Sequence, residues 1–261
     1  MKFRLLGIAG LLLCSAAMPH ARAGTISVGV ADTGDCYPFM CNDSGTSAGP
    51  SIQYQQVYAA GTFSGPVTIS SLTFYWLVAQ VFGGTDTLLG GTYVFSLSTT
   101  SAEVDGLSYT CLSCNLGPDN TEVLSVTIPV GGVLFGTSYT FNDTANFNYD
   151  PHRGNLLLDI VVSNQDNVPN FTGNSYTDSD DTGSAAGRAY FIFGDVNKGF
   201  PPDTDALVTT FRTTTATTAP EPDSALLLVE ALVGFAIGFP HRSGQRRPHV
   251  RLDPMSLSDR V

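Results

Sequence analysis

Thr92-Tyr-Val-Phe-Ser-Leu97 and Val123-Leu-Ser-Val-Thr-Ile128 are the stretches that decide the fold class. In each, apolar residues alternate with small or polar ones, so that one face is apolar and the other mixed. That period of two marks a strand with one face on a core. The same richness in β-branched and aromatic residues recurs at Ile26–Val30, Ile52–Tyr58, Val67–Leu77, Ser138–Phe141, Leu156–Val162, Ala189–Phe193 and Leu207–Phe211. Turn-forming clusters lie between them, among them Gly83-Gly84-Thr85-Asp86, Gly131-Gly132 and Asp178-Ser-Asp-Asp-Thr-Gly183. The expectation is an all-β chain, with a single jelly-roll-like β-sandwich over residues 24–212.

Both ends of the 261-residue chain depart from this pattern. Lys2 and Arg4 precede an apolar run, Leu5 to Ala17, and Ala21-Arg22-Ala23 offers a small-residue cleavage site before Gly24. This is the form of a secretory signal peptide, residues 1–23, cut after Ala23; Cys14 leaves with it. At the other end, the Thr-rich residues 213–219 read as a flexible spacer, because they have little apolar area to bury. Pro220-Glu221-Pro222 follows, then an apolar run Ala225–Phe239 interrupted by Glu230, then Arg242, Arg246 and Arg247. An apolar segment that halts in a bilayer, with arginines holding its end on the cytoplasmic side, explains that order. An extension, residues 248–261, follows the arginines.

Between the two processing points the charge is lopsided. Arg153, Arg188, Lys198 and Arg212 stand against 18 acidic residues, for a formal charge of −14. Such a surface repels phosphate backbones, which argues against a nucleic-acid partner. The same region keeps four cysteines, Cys36, Cys41, Cys111 and Cys114. An exported chain meets an oxidising compartment, so two disulfides are expected, with the local pairs Cys36–Cys41 and Cys111–Cys114 favoured among three connectivities. Structural zinc or a redox pair at Cys111-x-x-Cys114 competes with that reading, although no βαβ pattern surrounds it.

The tail carries a likeness. Pro-Glu-Pro, Asp223-Ser224, Leu226-Leu-Leu-Val229, Gly234, Gly238 and the three arginines together resemble the PEP-CTERM sorting signal of exosortase substrates. Tyr54-Gln-Gln-Val-Tyr58, Phe63-Ser-Gly-Pro-Val67, Leu97-Ser-Thr-Thr-Ser101 and Tyr149-Asp-Pro-His-Arg-Gly-Asn-Leu-Leu-Leu-Asp159 are similar to the β-rich domain of exported proteins bearing that signal. The resemblance implies a sorting segment over 220–247 with a membrane helix at 225–239. It also implies an exosortase-type processing enzyme as partner, and export across the inner membrane of a Gram-negative-type bacterium. After transient anchoring, the domain would reach the cell surface or extracellular matrix. It assigns the domain no activity.

Candidate chemistry within the domain is sparse. Asp32-Thr-Gly34 and Asp181-Thr-Gly183 carry the tripeptide of aspartic proteases, where two carboxylates share a proton. Asp35 follows the first motif where a hydroxyl residue belongs, and turn chemistry accounts for both. Asp178–Asp181, and Asp143 or Asp150 with nearby carbonyls, offer oxygens of the kind calcium takes, without EF-hand spacing. A solvated polar loop is the plainer reading, and no cofactor is expected. His152 sits in a turn beside Asp150 with no serine elbow in the sequence, and Trp76 reads as a core indole. The chain therefore reads as a non-catalytic exported protein with a structural or interaction role in an exopolysaccharide matrix. The alternative is a secreted carbohydrate-binding module, calcium-dependent in one form, presenting aromatics among Tyr37, Tyr75, Trp76 and Tyr93.

Overall fold

The computed structural model describes residues 22–41, 52–77, 87–134, 136–165, 176–193 and 198–215. The leader up to residue 21, the sorting motif Pro220-Glu221-Pro222, the apolar run 225–239, the arginines 242, 246 and 247 and the extension lie outside these residues. Among the described residues no helix is long and apolar enough to cross a membrane. The strands, in chain order, are β1 (Arg22–Val28), β2 (Thr33–Asp35), β3 (Ile52–Tyr58), β4 (Val67–Tyr75), β5 (Thr87–Leu88), β6 (Gly91–Thr100), β7 (Thr121–Ile128) and β8 (Val133–Leu134). They continue with β9 (Ser138–Tyr149), β10 (Asn155–Ser163), β11 (Thr177–Asp180), β12 (Ala186–Ile192), β13 (Lys198–Asp203), β14 (Ala206–Leu207) and β15 (Thr209–Thr215). Pairing is antiparallel throughout.

Two sheets face each other, one ordered β1-β15-β4-β9 and the other β13-β12-β3-β10-β6-β7. Alternation in the sequence decides what lies between them. Tyr93, Phe95 and Leu97 of β6 and Leu156, Leu158, Ile160 and Val162 of β10 are buried on the inner face of the larger sheet. Leu72 and Phe74 of β4, Tyr139 and Phe141 of β9 and Phe211 of β15 meet them from the smaller one. Two sheets that each bury one face are the stable solution for such strands, so the all-β sandwich holds. A small sheet, β14-β11-β2, and the pair β5-β8 complete the domain.

Both expected disulfides form, Cys36–Cys41 and Cys111–Cys114, with Cα atoms 4.7 and 5.4 Å apart. The first closes a turn in which the Met40 and Cys41 amides donate to the Cys36 carbonyl. That turn drives Phe39 between the sheets, where its ring meets Phe74, Tyr93, Phe95, Tyr139 and Phe141 at centroid distances of 5.2–6.3 Å. The Leu89 amide and the Gln165 side chain bond the carbonyls of Phe39 and Pro38, which keeps the turn seated.

The boundaries differ from the sequence reading in instructive ways. β15 runs to Thr215, past the start of the Thr-rich spacer, because Thr213–Thr215 pair with β4 on one side and Gly24 to Arg22 on the other. Asp178–Asp180, read as part of a turn, belongs to β11, which pairs with β2 on one side and β14 on the other. β9 continues to Tyr149, well beyond Phe141, after a bulge near Asp143 to Asn146. β13 (Lys-Gly-Phe-Pro-Pro-Asp) has proline at two positions, which a strand tolerates at the edge it occupies.

Phe39→Ala is expected to cost about 3–5 kcal/mol in urea unfolding, the usual range for deleting a buried phenyl ring. Val130→Ala, at a 90 % exposed position, should stay within about 0.5 kcal/mol of the parent. A Phe39→Ala loss below about 1 kcal/mol would contradict the seating of this turn in the core.

Candidate functional site

The outer face of the larger sheet is partly covered by the connection from Ser101 to Asn120. Leu107 and Leu112 pack there on Val57, Leu157 and Ala189 as a second, smaller core. Polar groups fix the cover. Asn115 donates to the Gln55 side-chain oxygen at 2.7 Å, and Gln55 donates to Leu112 O and to Asp159 Oδ1 at 3.0 and 2.8 Å. Gln53 also donates to Asp159, whose carboxyl burial nevertheless pushes above the ordinary carboxylate range. Cys111–Cys114 closes the short 3-10 turn in the middle of this cover.

Where the cover returns to the sheet it leaves a pocket of about 210 Å³, lined by Thr99, Ser101, Leu116, Pro118, Asp119 and Arg153 among others. Its walls are fixed by close backbone approaches. A Cβ on Gly117 would lie 1.8 Å from Thr99 O, and one on Gly154 would lie 2.4 Å from Thr100 O, with Gly154 at φ +146°. Only glycine fits either position. Asp119 Oδ1 accepts from the Thr99 amide at 2.7 Å, and the Thr100 hydroxyl donates to Asn115 O at 2.6 Å. Arg153 arrives on a 3-10 turn, Pro151–Arg153, capped by the Asp150 carboxylate. On the other flank of that turn, His152, Phe63 and Ser64 line a second depression, also of about 210 Å³.

The residues singled out in the sequence are distributed differently. His152 and Asp150 do meet, Nδ1 to Oδ1 at 2.8 Å, but both are exposed and the contact is local to the turn. The His152 side chain bonded to it, helped by the His152 amide, holds the Asp150 carboxyl below its ordinary range. The two Asp-Thr-Gly motifs come together through the β2–β11 pairing. Asp32 accepts from the Thr182 hydroxyl at 2.5 Å and the Asp181 amide at 3.1 Å, which lowers its carboxyl from the ordinary value. Through these bonds Asp32 ties the turn that follows β11. Asp180 accepts from the amides of Val30, Thr182 and Gly183. Its oxygens are spent on backbone, and among the described residues no group of three His, Cys, Asp or Glu gathers to hold a metal ion. Asp178 sits in β11, its carboxyl raised by burial. Of the proposed aromatic platform, Tyr93 is fully buried, while Tyr37, Tyr75 and Trp76 are half-buried, with Tyr37 and Trp76 packed on the core. Ala23 lies in β1 opposite Thr214.

Two sets of residues escaped the sequence reading. One is the pocket, whose only trace is the hydroxyl run Ser98–Ser101 beside a Gly117-Pro118-Asp119 turn. The other is Arg188, a buried cation that donates to Asp35, to Asp203 at 2.8 Å and to Asp205 at 2.8 Å. It joins β12 and β13 to β2 of the small sheet, and the guanidinium lies 5.5 Å from the centre of the Tyr190 ring.

No family model matches this chain. No curated protein matches it either. Among solved structures it is similar to a chain in the structure of infectious bursal disease virus Gt strain, at 12 % identity and a TM-score of 0.24, over 91 % of this chain and 54 % of that one. A chain of the Gx strain structure gives 10 % identity and a TM-score of 0.25, over 83 % and 48 %. This chain spans about half the length of those viral chains.

Asp143 supplies a test of local energetics. In the bulge of β9 both of its carboxylate oxygens are buried without a hydrogen-bond partner, and burial pushes the group up to about 6. The folded-state value exceeds the ordinary 3.8, so the charged form opposes folding. That penalty begins as pH rises through 3.8, grows up to about 6, and is complete at neutral pH. Asp143→Asn should therefore stabilise the domain at pH 7.5 by on the order of 1 kcal/mol, discounted for partial solvation, and by only a small fraction of that at pH 4. Urea titrations at the two pH values check this, and an equal gain at both would contradict it.

Proposed function

We propose that this is a non-catalytic exported protein: one acidic, jelly-roll-like β-sandwich, made as a precursor and sorted to the cell surface or extracellular matrix. In this reading a signal peptidase cuts after Ala23. The apolar run 225–239 then holds the chain in the inner membrane, and an exosortase-type enzyme releases it at or near Pro220-Glu221-Pro222. The observation that carries the reading is the pair of disulfides, each placed where packing depends on it. Cys36–Cys41 seats Phe39 between the sheets, and Cys111–Cys114 closes the cover on the outer face. Domains that use disulfides this way mature in oxidising compartments.

A second reading, a carbohydrate-binding module, is favoured by one feature: the polar pocket of Arg153 and Asp119, lined by Gly117, where only glycine fits. Preformed pockets of this kind bind without the cost of ordering their walls.

Expression of the precursor with and without an exosortase, followed by mass spectrometry of the product, tests the first reading. The expected termini are Gly24 and a residue at or near Pro220–Pro222, the second only when the enzyme is present. Retention of Val261 in both strains would overturn it.

A further inference from the structure

We propose that the pocket between the Pro151–Arg153 turn and the Cys114–Asp119 segment takes one pyranose unit of a neutral polysaccharide. Arg153 and Asp119 are the polar pair that recognises it. The inference rests on the reading of the domain as a carbohydrate-binding module and gives that module its site.

The pocket holds unused hydrogen-bonding capacity. Among the described residues, the Arg153 guanidinium and the hydroxyls of Thr99 and Ser101 bond no protein partner, although all three line the pocket. Asp119 spends one carboxylate oxygen on the Thr99 amide and keeps the other. The pocket thus sets donors and an acceptor side by side. Vicinal sugar hydroxyls, each both donor and acceptor, match that arrangement. A simple anion would meet the Asp119 charge, and a simple cation would meet Arg153. The domain's formal charge of −14 further disfavours a polyanionic chain. Leu116 and Pro118 supply an apolar wall for the C–H face of a ring.

Size and rigidity agree with this. About 210 Å³ is smaller than the roughly 300–1,000 Å³ of pockets that enclose drug-sized ligands, and suits a single unit rather than a buried chain. The walls do not need to assemble. Gly117 and Gly154 bring the cover and the turn into contact with the carbonyls of Thr99 and Thr100, and the disulfide fixes the segment that ends in the pocket. Asn155 holds the turn's exit, donating to Ala102 O at 2.9 Å while accepting from the Ala60 amide. Thr100 and Asn155 pair across β6 and β10, so the strand ends that carry Thr99 and Arg153 are set by sheet register.

Saturation-transfer difference NMR on the purified full-length protein is the test, with methyl glucoside, methyl galactoside and methyl mannoside as probes and sodium sulfate and glucuronate as anion competitors. Transfer to at least one neutral glycoside is expected. Arg153→Ala and Asp119→Asn should each weaken it at least tenfold. His152→Ala, on the same turn but lining the other depression, should bind as the parent does. Arg153 is exposed, so its removal leaves the fold intact, and circular dichroism checks that. Binding unchanged in both pocket variants would overturn this site and leave the module reading standing. Displacement of the glycoside by sulfate, or binding of glucuronate alone, would overturn the neutral-sugar assignment. Silence with every sugar would overturn the site and the module reading together.

Discussion

Phe39 is the residue on which the sandwich closes. Its ring sits among five aromatic side chains contributed by both sheets, and it reaches them from a turn rather than a strand. A turn has no ladder to hold it, so its position must come from elsewhere. Here the Cys36–Cys41 crosslink, the Leu89 amide and the Gln165 side chain supply that constraint. Removing the crosslink leaves a short loop free to withdraw an apolar plug whose burial is worth several kcal/mol. The covalent bond and the core are thus one device.

Polar groups inside the sandwich follow the same economy. Gln56 lies on the inner face between Tyr54 and Tyr58, yet its amide bonds both the carbonyl and the amide of Leu207, as a neighbouring strand would. Arg188 gathers three carboxylates in a domain with few cations. Replacing one partner of a buried pair is costly because the others are left unpaired, so this guanidinium fixes how the small sheet meets the larger one. Asp143, an unpartnered carboxylate in a bulge, and the Ser179 hydroxyl are exceptions among the described residues.

The sequence was legible where periodicity or local chemistry speaks. Tyr93, Phe95 and Leu97 alternate in the sequence and face inward in the fold, and both cysteine pairs are close enough in sequence to close locally. It was illegible where tertiary partners decide. Thr213–Thr215 looks like a spacer because threonine-rich runs have little to bury, but two neighbouring strands supply its hydrogen bonds. Asp178–Asp180 has turn residues yet pairs as a strand, since Asp180 caps the adjoining turn from within it. The pocket was invisible for a further reason: Thr99, Asp119 and Arg153 come from three segments that only strand register assembles. The paired Asp-Thr-Gly motifs do meet in space, where Asp32 bonds the Asp181 amide and the Thr182 hydroxyl.

As the central claim we propose that this acidic sandwich, with one disulfide in its core and one in its outer cover, matures outside a reducing compartment. Thiol trapping in intact cells tests it most directly. Cells producing the protein are acid-quenched and alkylated with a maleimide-polyethylene glycol, with and without prior reduction. The account predicts no mass shift before reduction and modification of Cys36, Cys41, Cys111 and Cys114 after it. Modification of these cysteines without reduction would contradict it.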